Sequence, residues 1–208
     1  MPLNVGTELP DFEAASTHGA LSLYDWLGDN WGLVFAFKAM SPTCSTEFVE
    51  LERHHESFAA LGTRVLGVSI DSENTVGAWL VDLREVLNCT PSFPLVCDVN
   101  GDVPALLGLI DPRATQASLL RTAYLVAPDR RVAVSLTYPV TNGRSIAELL
   151  RTLKAVQLTT NCKVATSSTW SEGEPVMLPP SLSQEKAEAL YPQGVKVLRP
   201  YLRIVSQH

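Results

Sequence analysis

The sequence predicts an α/β domain built on a mixed central sheet with helices on both faces, followed by a C-terminal extension. Three observations predict it. Short apolar runs alternate with segments of helical period through the first two thirds of the chain. A hairpin pattern followed by a well-marked helix comes late. Beyond Thr159 the periodicity fades and Pro175, Pro179, Pro180, Pro192 and Pro200 accumulate.

Gly32–Phe37 is a continuous apolar run and reads as a buried strand. After the Lys38–Thr43 turn, Phe48, Leu51, His55 and Phe58 recur at helical spacing, and Gly62 closes the segment. Arg64–Ile70 is the next strand, and Asp71-Ser72 opens a helix through Ala78, Trp79, Leu80 and Leu83. Phe93–Cys97 reads as a strand and Val103–Leu109 as a short helix. Thr122–Ala127 and Val132–Tyr138 flank Pro128-Asp129-Arg130-Arg131, a hairpin signature. Ser145 and Glu148 form a capping box ahead of Ile146, Leu149, Leu150, Leu153 and Val156. This order fits a thioredoxin-like fold. The expected division is 1–158 for that domain and 159–208 for an extended arm with one short helix, Gln184–Leu190.

At 208 residues, 46% hydrophobic and 18% charged, the chain can bury a core without disulfides or a structural metal. A net charge of −6 argues against nucleic acid and anionic membrane surfaces, which call for clustered Lys and Arg. No apolar run is long enough for membrane insertion, and Met1-Pro2-Leu3-Asn4 opens no secretory signal. Cysteines at 44, 89, 97 and 162 follow neither a disulfide framework nor a zinc pattern, so a reducing, cytoplasmic setting is expected.

One cysteine stands out by position. In Ser41-Pro42-Thr43-Cys44, Ser41 is a natural N-cap and Pro42 a natural first helical residue, which puts Cys44 in the first turn. Free amides and the helix dipole favour a thiolate there, the form that acts as a nucleophile. A lone cysteine at such a place also serves as a small buried hydrophobe, so position alone leaves both readings open.

Beyond that cysteine, a series of short segments runs along nearly the whole chain: Leu9-Pro10-Asp11-Phe12-Glu13-Ala14, Ser41 and Cys44 with Ser45-Thr46-Glu47, Val68-Ser69-Ile70-Asp71-Ser72, Ala78-Trp79, and Phe93-Pro94-Leu95-Val96. The series continues through Ile110-Asp111-Pro112, Arg121-Thr122-Ala123, Tyr138-Pro139, Thr141, Gly143-Arg144, Gln157-Leu158-Thr159, Val164-Ala165-Thr166, Trp170 and Tyr201-Leu202-Arg203. In these segments the sequence resembles the one-cysteine, peroxiredoxin 6-like branch of the peroxiredoxins. The resemblance implies a thiol-dependent peroxidase in which Cys44, Ser41 and Arg121 hold the peroxide, supported by Glu47, Arg144 and Pro42. It implies reduction of hydrogen peroxide and alkyl hydroperoxides through a cysteine sulfenic acid, and recycling by an external thiol such as glutathione or a thioredoxin-like protein. It implies a homodimer, and no metal, haem or flavin.

The chain departs from that branch at the loop before Ser41. Phe37 stands where the family has proline, Ala36 where this branch has histidine, and the segment from Trp31 to Cys44 is one residue shorter. These losses motivate an alternative, a catalytically weakened peroxiredoxin-fold redox sensor or binding protein. Gly28-Asp29-Asn30-Trp31-Gly32 lacks the serine of the branch's phospholipase-like segment, and Tyr24 stands for its histidine, so lipase activity is not expected. Where two-cysteine relatives carry a resolving cysteine, this chain has Val164-Ala165-Thr166. Cys162 lies close by and is the candidate resolving thiol, while Cys89 and Cys97 read as structural. His54 and His55 lie about 15 Å along the helix from Cys44, too far for a Cys–His pair. One packed and one solvated histidine is the expectation.

Overall fold

The computed structural model describes residues 1–115 and 118–206, which contacts divide into two compact units, Met1–Ile146 and Ala147–His208. The first unit holds β1 (Glu13–Ser16), β2 (Gly19–Ser22), α1 (Leu23–Leu27), β3 (Trp31–Ala36), α2 (Pro42–Arg53), α3 (His55–Ala60) and β4 (Thr63–Ser69). It continues with α4 (Glu73–Leu87), β5 (Leu95–Cys97), α5 (Asp102–Leu106), β6 (Arg121–Val126) and β7 (Val132–Tyr138). Helix α6 (Ile146–Cys162) leads into the second unit, with β8 (Val176–Met177), α7 (Gln184–Leu190), β9 (Lys196–Arg199) and β10 (Leu202–Val205).

Seven strands form one mixed sheet in the order β2-β1-β5-β4-β3-β6-β7. β3, β4 and β5 run parallel, with Leu33 opposite Val65 and Val68 opposite Val96. β6 joins β3 antiparallel and β7 pairs with β6 as the expected hairpin. β3 is apolar from end to end because both of its faces are covered. Val34 and Ala36 pack with Leu23 and Leu27 of α1 and Val103 of α5. Phe35, on the opposite face, meets Phe48 of α2 edge-on at 5.6 Å and Phe93 at 6.0 Å. Helices therefore cover both faces, and the parallel strands all end on the side where α2 begins.

Two features depart from the sequence reading of this unit. The β1–β2 hairpin and α1 escaped it, because EAAS and GALS are four-residue strands of small residues with no apolar alternation. The helix expected to run unbroken to Gly62 is interrupted at His54, whose φ of −103° and ψ of 3° end α2. The break sets the His55 ring 6.1 Å from Phe93 and its Nδ1 2.9 Å from Ser92 Oγ. Both histidines are half-buried, where one packed and one solvated were expected.

The second unit corrects the reading of the tail as an extended arm. β8, β10 and β9 form a three-stranded antiparallel sheet, and Trp170, Val176, Leu178, Ala187 and Val205 gather with Ala155 of α6 into an apolar cluster. The prolines masked this, because strands of two to four residues between them leave no period to read. Helix α7 matches its expected bounds. Because α6 groups with the tail, the contacts divide the chain twelve residues before the 158/159 boundary read from sequence. No helix among the described residues is long and apolar enough to cross a membrane.

Candidate active site

The turn from β3 into α2 creates the site. Ser41 has extended backbone and caps α2, accepting a hydrogen bond on Oγ from the Cys44 N–H at 3.4 Å, and Pro42 opens the helix. This is the geometry read from the sequence, and it fixes Cys44 in the first turn with its sulfur facing the sheet. Cys44 is 2% exposed.

Two donors meet the sulfur. Lys38 directs its backbone N–H at Cys44 Sγ across 3.5 Å, and Arg121 Nη1 lies 3.4 Å away. Arg121 arrives from the first residue of β6, paired through the sheet with β3. The same Nη1 donates to Glu47 Oε2 at 2.8 Å, and Nη2 donates to the Val140 carbonyl at 3.0 Å. Arg121 Nε is buried without a partner among the described residues. A buried N–H left unpaired costs about 1–3 kcal/mol, so it marks a donor held open for something else.

Glu47 lies one helical turn after Cys44 and joins two cations. Arg144 grips it with three donors, the backbone N–H at 2.6 Å and Nε at 3.0 Å to Oε1, and Nη2 at 2.7 Å to Oε2. Arg144 Nη1 reaches the Thr122 carbonyl at 2.9 Å, and the guanidinium stands over the Phe35 ring at 5.2 Å. Glu47, Arg121 and Arg144 are all buried. Two guanidiniums sharing one carboxylate leave one net positive charge in the protein interior beside the sulfur. Burying uncompensated charge is expensive, so the site is suited to a ligand that brings negative charge to Arg121.

A cavity of about 260 Å³ opens on this group. Ser41, Cys44 and Arg121 supply its polar side, and Phe37, Ile70, Leu120 and Val140 its apolar side. Phe37 does not hang loose where the family has proline. It is 2% exposed, stacks on Trp79 at 5.7 Å and tilts against Phe48 at 5.1 Å. Trp79 in turn donates from Nε1 to Ser45 Oγ at 3.0 Å, tying α4 to the first turn of α2.

The structure thus brings together Cys44, Ser41, Pro42, Glu47, Arg121 and Arg144. Cys162 is exposed at the end of α6, in the second unit. Cys89 is buried in the first unit, and burial together with Glu52 pushes its thiol above the ordinary range. Burial, Glu73 and Asp71 push Cys97 up to about 11. Both are therefore weak nucleophiles near neutrality. Sequence reasoning missed the Lys38 amide, the Val140 carbonyl and Asp71. The first two are backbone groups, which leave no residue-type signal, and Asp71 read as part of a helix start and of one matching segment, with no role of its own. Among the described residues, no group of three or more His, Cys, Asp or Glu side chains is placed to hold a metal.

A family model described as the AhpC/TSA family matches residues 5–135. The 1-Cys peroxiredoxin of Dictyostelium discoideum is 32% identical, covering 99% of this chain and 86% of its own. Peroxiredoxin-6 of Rattus norvegicus is 35% identical, covering 99% and 98%. Among solved structures, a yeast mitochondrial 1-Cys peroxiredoxin, studied for its thiol resolving mechanism via glutathione/thioredoxin systems, superposes with a TM-score of 0.92 at 29% identity, covering 99% and 100%. The C45S mutant of peroxiredoxin 6 from Arenicola marina superposes at 0.91 with 30% identity, covering 99% of each chain.

Proposed function

The chain belongs to the AhpC/TSA family of peroxiredoxins, and from that premise we infer that it is a thiol-dependent peroxidase reducing hydrogen peroxide and alkyl hydroperoxides. The observation that carries the assignment to particular residues is the buried Glu47–Arg121–Arg144 triad, whose surplus positive charge touches Cys44 Sγ through Arg121. In this reading the Cys44 thiolate attacks one peroxide oxygen and an S–O bond forms as the O–O bond breaks. The departing oxygen leaves as hydroxide or alkoxide and takes a proton to become water or alcohol. Cys44 becomes sulfenic acid. Arg121 Nε and the Ser41 hydroxyl offer donors to the two oxygens, and the Lys38 amide to the sulfur. Glu47 and Arg144 orient Arg121, and Pro42 starts the helix that presents the thiol.

An external thiol then condenses with the sulfenic acid, releasing water and leaving a mixed disulfide, and a second thiol restores Cys44. Glutathione or a thioredoxin-like protein fits this role. All four cysteines are free, which supports a reducing, cytoplasmic setting. The alternative of a weakened sensor or binding protein, motivated by the missing proline and histidine, is not favoured. Phe37, at the proline's position, is buried against Trp79 and Phe48.

The test is where oxidation lands. One equivalent of peroxide added to reduced protein, followed by a sulfenic-acid probe, should label Cys44 rather than Cys89, Cys97 or Cys162. Label mainly on one of the other three would overturn the assignment. A rapid, near-stoichiometric Cys44–Cys162 disulfide on non-reducing gels, lost in Cys162→Ser, would replace the one-cysteine cycle but keep the peroxidase.

We also propose that the protein works as a homodimer. Beyond Val132, β7 closes one end of the large sheet with only β6 as its ladder partner among the described residues. The second unit exposes Val197, Leu198 and Tyr201, the last at 70%. Light scattering should give twice the chain mass; a stable monomer would sink the proposal.

A further inference from the structure

The shortened loop before Ser41 carries the amide that meets the sulfur, and three successive N–H groups in it leave in three directions. Phe37 donates to the Val68 carbonyl at 3.0 Å, Lys38 points to Cys44 Sγ at 3.5 Å, and Ala39 donates to Asp71 Oδ2 at 2.7 Å. The peptide that faces the sulfur is therefore held on both sides, once by strand β4 and once by a side chain. The next residue, Met40, has a φ of 56°, a left-handed conformation that strains a non-glycine residue. Such a conformation persists only where its surroundings hold it.

Asp71 is itself held. Ser69, fully buried at the end of β4, donates from Oγ to Asp71 Oδ2 at 2.7 Å, and the Asp71 N–H returns a bond to Ser69 Oγ at 3.0 Å. Its carboxylate makes no hydrogen bond to the sulfur and does not line the cavity. Among the described residues its link to the site is the Ala39 amide, a charge-assisted bond about twice as strong as a neutral one.

We propose that Asp71 is a positioning residue for peroxide reduction: by holding the Ala39 N–H it keeps the Lys38 N–H on the sulfur of Cys44. The proposal rests on the reading of Cys44 as the thiol that attacks peroxide. It also gives the loop a second fixed point between β3 and α2.

The experiment compares native protein, Asp71→Ala and Asp71→Asn, measuring the single-turnover rate of Cys44 oxidation and the hydrogen exchange of the Ala39 amide. Asp71→Ala should oxidise about tenfold to a hundredfold more slowly, the scale of a misplaced group, and its Ala39 amide should exchange faster. Asp71→Asn keeps an acceptor oxygen and should restore both, which general destabilisation would not predict. A native rate in Asp71→Ala, or an unchanged Ala39 exchange, overturns the proposal. Failure of the underlying reading looks different, because native protein would then form no sulfenic acid at Cys44.

Discussion

Arg121→Met should slow the reaction of Cys44 with peroxide by roughly a hundredfold to a thousandfold, the loss seen when one pre-set charge-stabilising donor is removed. The methionine keeps most of the buried volume but takes away the only side-chain donor on the sulfur among the described residues, together with the unpaired Nε. Arg121→Lys should recover only part of the loss. An ammonium keeps the charge, but it cannot serve Sγ, Glu47 and Val140 at once from a fixed plane. Stopped-flow oxidation of the reduced protein measures the effect, with denaturant unfolding as a check on the fold. A folded Arg121→Met protein that oxidises at the native rate would remove Arg121 from the mechanism.

Glu47→Ala should be the most destabilising single change at the site. Removing one member of a buried ion group strands its partners, at a cost of about 3–5 kcal/mol. Here it strands two guanidiniums in the interior, and Arg144 also loses the acceptor of its backbone N–H. At about 2–3 kcal/mol per molar urea, the unfolding midpoint should drop by roughly 1–2.5 M. Glu47→Gln keeps the shape and one acceptor and should fall between. A midpoint unchanged in Glu47→Ala would mean that the triad does not hold the fold together.

The sequence made legible those elements of both units that carry a clear period or a capping signal. β7 and α7 matched residue for residue, and Ser41, Pro42 and Cys44 took the capping geometry that their order implies. Resemblance, rather than periodicity, picked out Arg121, Glu47 and Arg144, because residues so far apart in the chain share no local pattern. What stayed hidden was short or made of backbone. The β1–β2 hairpin has no apolar alternation, the tail sheet has strands of two to four residues, and the Lys38 amide belongs to a residue whose side chain is exposed. Phe37 read as the end of a strand and as a missing proline; only packing reveals it as the plate beneath Trp79.

That plate restricts a residue on the neighbouring strand. A Cβ placed on Gly67 would stand 3.1 Å from two carbons of the Phe37 ring and 2.6 Å from Leu95 Cδ2. Glycine is needed there for room, since nothing in its backbone conformation demands it. Positions 37 and 67 therefore constrain each other sterically, and Leu95 shares in the constraint. Enlarging residue 67 first sets a methyl against the ring and Leu95, and trimming residue 37 first opens a hollow under Trp79.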